Sequence, residues 1–250
     1  MANELVTRSI EELSGLIRNK EVSPVELTDA VIDQVEKYDG KINAYILRTF
    51  DKARAMASAA EKEIAAGKYR GPLHGIPMAF KDAFYIKGEV TTMGSHIHKD
   101  FVPDIESTAV TRLGDAGAVF TGKLNLHEYG YGGTTSNPHF GVCHNPWDLA
   151  KIPGGSSGGS AAAVVADMAV ASLGSDTVGS ARIPAASCGV VGLKPTFGRV
   201  SKYGFFPLSW SFDHVGPTTK TVKDAAFLLE AISGYDAKDP TSVRTEHVEF

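Results

Sequence analysis

Two Gly/Ser-rich loops, Gly154-Gly155-Ser156-Ser157-Gly158-Gly159-Ser160 and Gly174-Ser175-Asp176-Thr177-Val178-Gly179-Ser180-Ala181-Arg182, bracket a nearly apolar stretch of 13 residues from Ala161 to Leu173. A flexible Gly-Ser linker does not usually run straight into a strong apolar helix, as the first loop does at Ala161 to Ala166. A tight loop at a helix N-terminus, with free N–H groups pointing at an acceptor, explains the composition better. Ser156 and Ser180 lie 24 residues apart, enough for one helix and a return strand. The two loops are therefore expected to share a site, against the simpler view of two unrelated turns. The apolar stretch carries Asp167 and falls short of the ~20 residues that span a bilayer, so it reads as a buried segment.

The chain on either side fits this picture. Ser9-Ile10-Glu11-Glu12 and Ser23-Pro24-Val25-Glu26 are capping boxes ahead of Leu13, Leu16 and Ile17 and of Leu27, Val31 and Val35. Gly40 is expected to stop the second helix. A β-leaning run from Ile42 to Leu47 precedes an Ala-rich helix from about Asp51 to Ala66, ended by Gly67. From Gly71 onward short apolar runs (Ile76 to Phe80, Ala118 to Phe120, Val170 to Leu173) alternate with helical segments and Gly-rich turns. That alternation predicts an α/β fold, a mixed and largely parallel sheet covered by helices, with a helical N-terminal layer. A last helix runs from a Thr221 cap to near Gly234, and Tyr235 to Phe250 shows no period. Without an internal repeat or linker, 1–250 reads as one domain, with residues 1–70 as the helical layer and 71–250 as the core.

Composition narrows the function classes. The 250 residues carry 25 Lys plus Arg against 29 Asp plus Glu, a formal charge of -4, which gives no basic excess for nucleic acid or an anionic membrane. A small ligand fits better. Cys143 and Cys188 cannot build a disulfide framework and suit a reducing compartment. The N-terminal residues lack the apolar core of a signal peptide, so the expected localisation is cytoplasmic. Three motif matches fail on inspection. Gly117 to Leu124 follows phosphate-loop spacing but ends in Leu124 where a Ser or Thr would bind magnesium. His127-Glu128 lacks a second His four residues on, so no zinc motif forms. Gly-x-Ser-x-Gly occurs at Ser156 and again at Ser157, but Pro146 and Pro153 make a poor strand into a nucleophile elbow.

Taken together, Gly75 to Asp82, Gly154 to Ser160, Gly174 to Ala186 and Cys188 to Val200 resemble the amidase signature family, and the resemblance covers nearly the whole chain. It implies Ser180 as nucleophile, Ser156 as a bridging serine after a cis peptide bond, and Lys81 as base. A serine hydroxyl needs a base to take its proton, and a second hydroxyl can pass that proton to an amine. Lys81 must then be neutral, which needs its amine lowered from ~10.4 towards ~7–8 by burial. The flanking Ile76, Met78, Ala79 and Phe80 favour this.

The resemblance further implies an oxyanion hole from the backbone of Thr177, Val178, Gly179 and Ser180. Ser157, Asp176 and Arg182 would support the loop, and Gly132, Gly133 and Thr134 would lie on the substrate side. An acyl-enzyme on Ser180 would expel ammonia or an amine, with no metal or organic cofactor. The 132–141 segment resembles stand-alone amidases more than the tRNA-dependent amidotransferase, and Tyr129, Tyr131, Phe140, Phe205, Phe206 and Trp210 could line an apolar or aryl pocket.

Two departures from the family pattern stand out. Val178 occupies a position where the family usually has Gly, and a β-branched residue resists positive φ at ~1–3 kcal/mol. Ala181 replaces a larger aliphatic residue. The family's domain also continues beyond Phe250, so uncovered apolar surface and strand edges are expected, together with a homo-oligomer or a second chain supplying the C-terminal half. The leading function is an amidohydrolase acting on a small-molecule amide. The alternatives are a catalytically silent member of an assembly and the glutaminase component of a tRNA-dependent amidotransferase.

Overall fold

A computed structural model describes residues 2–244. Residues 245–250, the end of the aperiodic stretch, and Met1 lie outside the described residues. The N-terminal layer comprises α1 (Ala2–Leu5), α2 (Ile10–Arg18), α3 (Pro24–Ile42), β1 (Tyr45–Arg48) and α4 (Phe50–Ala65). The remainder follows as β2 (Pro77–Lys81), α5 (Thr108–Asp115), β3 (Val119–Leu124), the short pair β4 (Ser136–Asn137) and β5 (Gly141–Val142), α6 (Gly158–Val165), β6 (Ala171–Asp176), α7 (Arg182–Cys188), β7 (Val191–Gly192), β8 (His214–Thr219) and α8 (Val222–Ile232).

The capping box at Ser9 forms in full, whereas at Ser23 the hydroxyl caps the helix as expected but no bond returns from the Glu26 side chain among the described residues. Ser9 Oγ accepts from the Glu12 N–H while the Glu12 carboxylate accepts from Ser9, and Ser23 Oγ accepts from Val25 and Glu26 with Pro24 at the first helical position. Gly40 does not end α3. The helix runs on to Ile42 and stops at Asn43 in the left-handed region (φ 57°, ψ 46°), a conformation Asn tolerates. The next N–H groups, of Ala44 and Tyr45, are taken up by Asp39 Oδ1. The Ala161–Leu173 stretch divides into α6, a turn, and the start of β6.

The six-stranded sheet has the order β1-β3-β2-β6-β8-β7. Strand β2 pairs in parallel with β3 and β6, while β1 pairs antiparallel with β3, and β8 with β6 and β7. Four strands, β2, β3, β6 and β7, therefore run the same way. Both faces are covered, which is why β2 is buried at every position. Met78 and Phe80 join the core of Leu13, Leu113 and Leu228. Ala79 faces the other way, into a cluster with Ala162 and Ala163 of α6. Period-2 alternation puts Lys81 on the same side as Ala79, towards the helix that begins just after Ser156.

The phosphate-loop match falls on strand β3, and its lysine is paired inside the protein. Lys123 Nζ lies 2.8 Å from Asp82 Oδ1 and 2.8 Å from Thr91 Oγ1, with both charged side chains almost fully buried. Removing one partner strands a buried charge, so Lys123→Ala is expected to cost about 3–5 kcal/mol in urea unfolding. A loss below ~1 kcal/mol would contradict this account of the pair.

Candidate active site

Lys81 ends β2, Ser175 and Asp176 end β6, and the Ser156 loop enters α6, so the sheet delivers the two loops to one point. Lys81 Nζ lies 2.6 Å from Ser156 Oγ and 2.7 Å from Ser175 Oγ. Burial pushes the amine down to about 7, with the Asp213 and Asp176 carboxylates pulling the other way. A lysine in this state is substantially neutral near pH 7 and can accept a hydroxyl proton. Ser175 is a partner that sequence reading missed.

The peptide bond between Gly155 and Ser156 is cis. Gly155 is required by close approach: a Cβ there would sit 2.6 Å from the Thr134 nitrogen and 2.7 Å from the Gly133 carbonyl carbon. Buried Thr135 fastens the same loop, donating through Oγ1 to the Gly154 carbonyl at 2.8 Å and accepting from the Gly158 N–H at 3.0 Å. The N–H groups at the start of α6 are not free, and each points at an acceptor within the protein. The amides of Ser157, Gly158 and Gly159 donate to the Ser180 carbonyl, Thr135 Oγ1 and the Asn125 carbonyl. The first joins the two serine loops, and the other two fasten the start of α6 to Thr135 and Asn125.

The second loop is organised by Asp176. Its carboxylate accepts from the N–H groups of Gly179 (2.8 Å), Ala181 (3.4 Å) and Arg182 (3.3 Å) and from the Arg182 guanidinium at 2.9 and 3.0 Å. Burial opposes the charge, yet the guanidinium and amides together hold the carboxyl below its ordinary range. Ser157 Oγ accepts from the Ser175 N–H at 3.2 Å and donates to its carbonyl. Ser157, Asp176 and Arg182 thus sit where loop support was expected. Asp213, which sequence reading missed, accepts from Thr177 Oγ1 at 2.5 Å and from the Leu208 and Ser209 amides at 2.9 Å.

The expected strain at Val178 is absent. The left-handed conformation of this loop falls on Gly179 (φ 124°), and Val178 is not among the residues of positive φ. Gly179 also departs from expectation, since its N–H is committed to Asp176 Oδ1. Among the described residues, nothing accepts from the N–H groups of Thr177, Val178 and Ser180.

A cavity of about 500 Å³ opens over Ser180. The Ser180 hydroxyl makes no hydrogen bond among the described residues, while its carbonyl accepts from the Ser157 N–H at 3.2 Å. Gly132 and Gly133 line the cavity; Thr134 does not, and its hydroxyl meets His127 Nδ1 at 3.2 Å. Of the aromatics singled out, only Tyr131 reaches the cavity wall. Tyr129, Phe205 and Phe206 lie deeper, beside Lys81 and Ser175. Phe140 packs near His96, and Trp210 is exposed outside the wall. Ile183, Leu208 and Phe212 complete the lining in their place. Among the described residues, no helix is long and apolar enough to cross a membrane.

Comparison with known proteins gives the family of the chain. The family model described as Amidase matches residues 26–250. A protein from Geobacter sp. (strain M21), named as a subunit of glutamyl-tRNA(Gln) amidotransferase, is 50% identical over 242 residues, covering 97% of this chain and 50% of that protein. Among solved structures, one from a vestigial protein complex that reveals the evolutionary origins of an s-triazine catabolic enzyme superposes with a TM-score of 0.95 at 41% identity, covering 97% of this chain and 53% of the other. A bacterial aryl acylamidase superposes with a TM-score of 0.89 at 34% identity, covering 97% and 50%. The chain spans about half the length of the curated relatives it matches. On the breadth of these matches, the chain belongs to the amidase signature family.

Proposed function

We propose that the chain is an amidohydrolase that cleaves a carboxamide C–N bond through Ser180, Ser156 and Lys81. The observation that carries this reading is the buried Lys81 amine, lowered to about 7 and held 2.6 Å from Ser156 Oγ. Ser180 Oγ attacks the carbonyl carbon, and its proton passes through the Ser156 hydroxyl to Lys81 Nζ. The free amides of Thr177, Val178 and Ser180 receive the developing oxyanion, while the Gly179 amide fixes the loop through Asp176. Collapse breaks the C–N bond, and the leaving amine takes the proton back from Lys81 through Ser156. Water then attacks the acyl-Ser180 ester, giving a proton through Ser156 to Lys81, and collapse releases the acid as Ser180 Oγ takes that proton back. The Ser180–Ser156 link closes on substrate binding, as catalytic hydrogen bonds commonly do.

A second reading, the glutaminase component of a larger enzyme, is favoured by relatives named as glutamyl-tRNA(Gln) amidotransferase subunits, which reach 50% identity. The neutrality of the lining over Ser180 favours the first. Ammonia release from simple carboxamides by the 250-residue chain, lost in Ser156→Ala, is the expected result. Release from glutamine only when amidotransferase partner chains are added would favour the second reading, and no release in either setting would contradict both.

A further inference from the structure

Building on the amidohydrolase reading, we propose that Val178 is a specificity-determining residue, and that this face of the site takes neutral amides with an apolar or aryl substituent and rejects those carrying free charge. Among the described residues, no Asp, Glu, Lys, Arg or His lines the cavity over Ser180. The charged groups nearby are already committed. Asp176 is satisfied by Arg182 and three loop amides, Asp213 by Thr177, Leu208 and Ser209, and Lys81 by two hydroxyls. A substrate ammonium or carboxylate entering here would lose water without gaining an ion pair.

The apolar side chains make the opposite case. Val178 is 84% exposed, Tyr131 80% and Phe212 63%, although all three line the cavity. A substrate that covers them removes apolar surface from water, and Val178 stands two residues before Ser180, at the reacting end. Because the loop's positive φ is carried by Gly179, the backbone accommodates a branched side chain at 178, and the isopropyl group is available for contact.

Two fluorophosphonates of equal length test this, one ending in a phenyl group and the other in a carboxylate, with Ser180 adduct formation followed by intact mass. The phenyl probe is expected to label at least ~10-fold faster, and that ratio should fall several-fold in Val178→Thr, which keeps the branch and exchanges a methyl for a hydroxyl. Val178→Gly should lower the ratio further. Equal rates for the two probes, or a ratio unchanged in both variants, would overturn the inference while leaving the amidohydrolase reading intact. Failure of both probes to label Ser180 would remove that reading and the inference with it.

Discussion

Ser180→Ala is expected to lower amide turnover by at least ~10³-fold and to abolish the acyl adduct. The side chain is the only part of Ser180 that the substitution touches. Its carbonyl still accepts from the Ser157 N–H, the bond that joins the two serine loops, and its hydroxyl makes no internal bond to lose among the described residues. The unfolding midpoint should therefore match the parent, so that lost turnover cannot be attributed to a collapsed site. Residual rate above water would come from the amides of Thr177, Val178 and the residue at 180. Turnover within about tenfold of the parent would assign the nucleophile elsewhere.

Lys81→Met should be almost as damaging, and the parent's pH dependence carries the same information. Because Lys81 works as a neutral amine lowered to about 7, kcat/KM should rise with pH through about 7 and level off above it. Activity at about pH 5 would then be ~100-fold below the plateau. Stability follows a linked but distinct course. Between about 7 and the ordinary lysine range the unfolded chain binds a proton that the folded chain does not, so stability rises with pH across that window and is lower below it. Lys81→Met removes the buried amine and should flatten that slope. A parent profile flat from about pH 5 to 9, or a variant retaining roughly a tenth of the activity, would contradict the role given to Lys81.

The parts of the fold that depend on near neighbours were legible in the sequence. The Ser9 and Ser23 caps, the Ala-rich α4 and the strand around Met78 follow from residues within a few positions of one another. The end of α3 was not, because Gly40 is a general helix breaker whereas Asn43 gains its left-handed conformation beside the specific bonds of Asp39. In the site, Lys81, Ser156 and Ser180 were named through family resemblance. Spacing alone pointed only to two loops sharing a helix. Ser175 and Asp213 escaped notice because their contacts join positions 94 and 36 residues apart, and only the sheet register brings those together. The α6 amides looked free because no sequence signal announces Thr135 and the Ser180 carbonyl as their acceptors. Val178 looked strained because the positive φ could not be assigned to Gly179 without the backbone.

The most direct measurement is peptide mapping of the 250-residue chain after reaction with the phenyl fluorophosphonate, across about pH 5 to 9. A single adduct on Ser180, forming faster as pH rises through about 7 and absent or severely slowed in Lys81→Met, is the predicted result. An adduct on any other residue, or labelling of Ser180 that is independent of pH and persists in Lys81→Met, would contradict the Ser180–Ser156–Lys81 account.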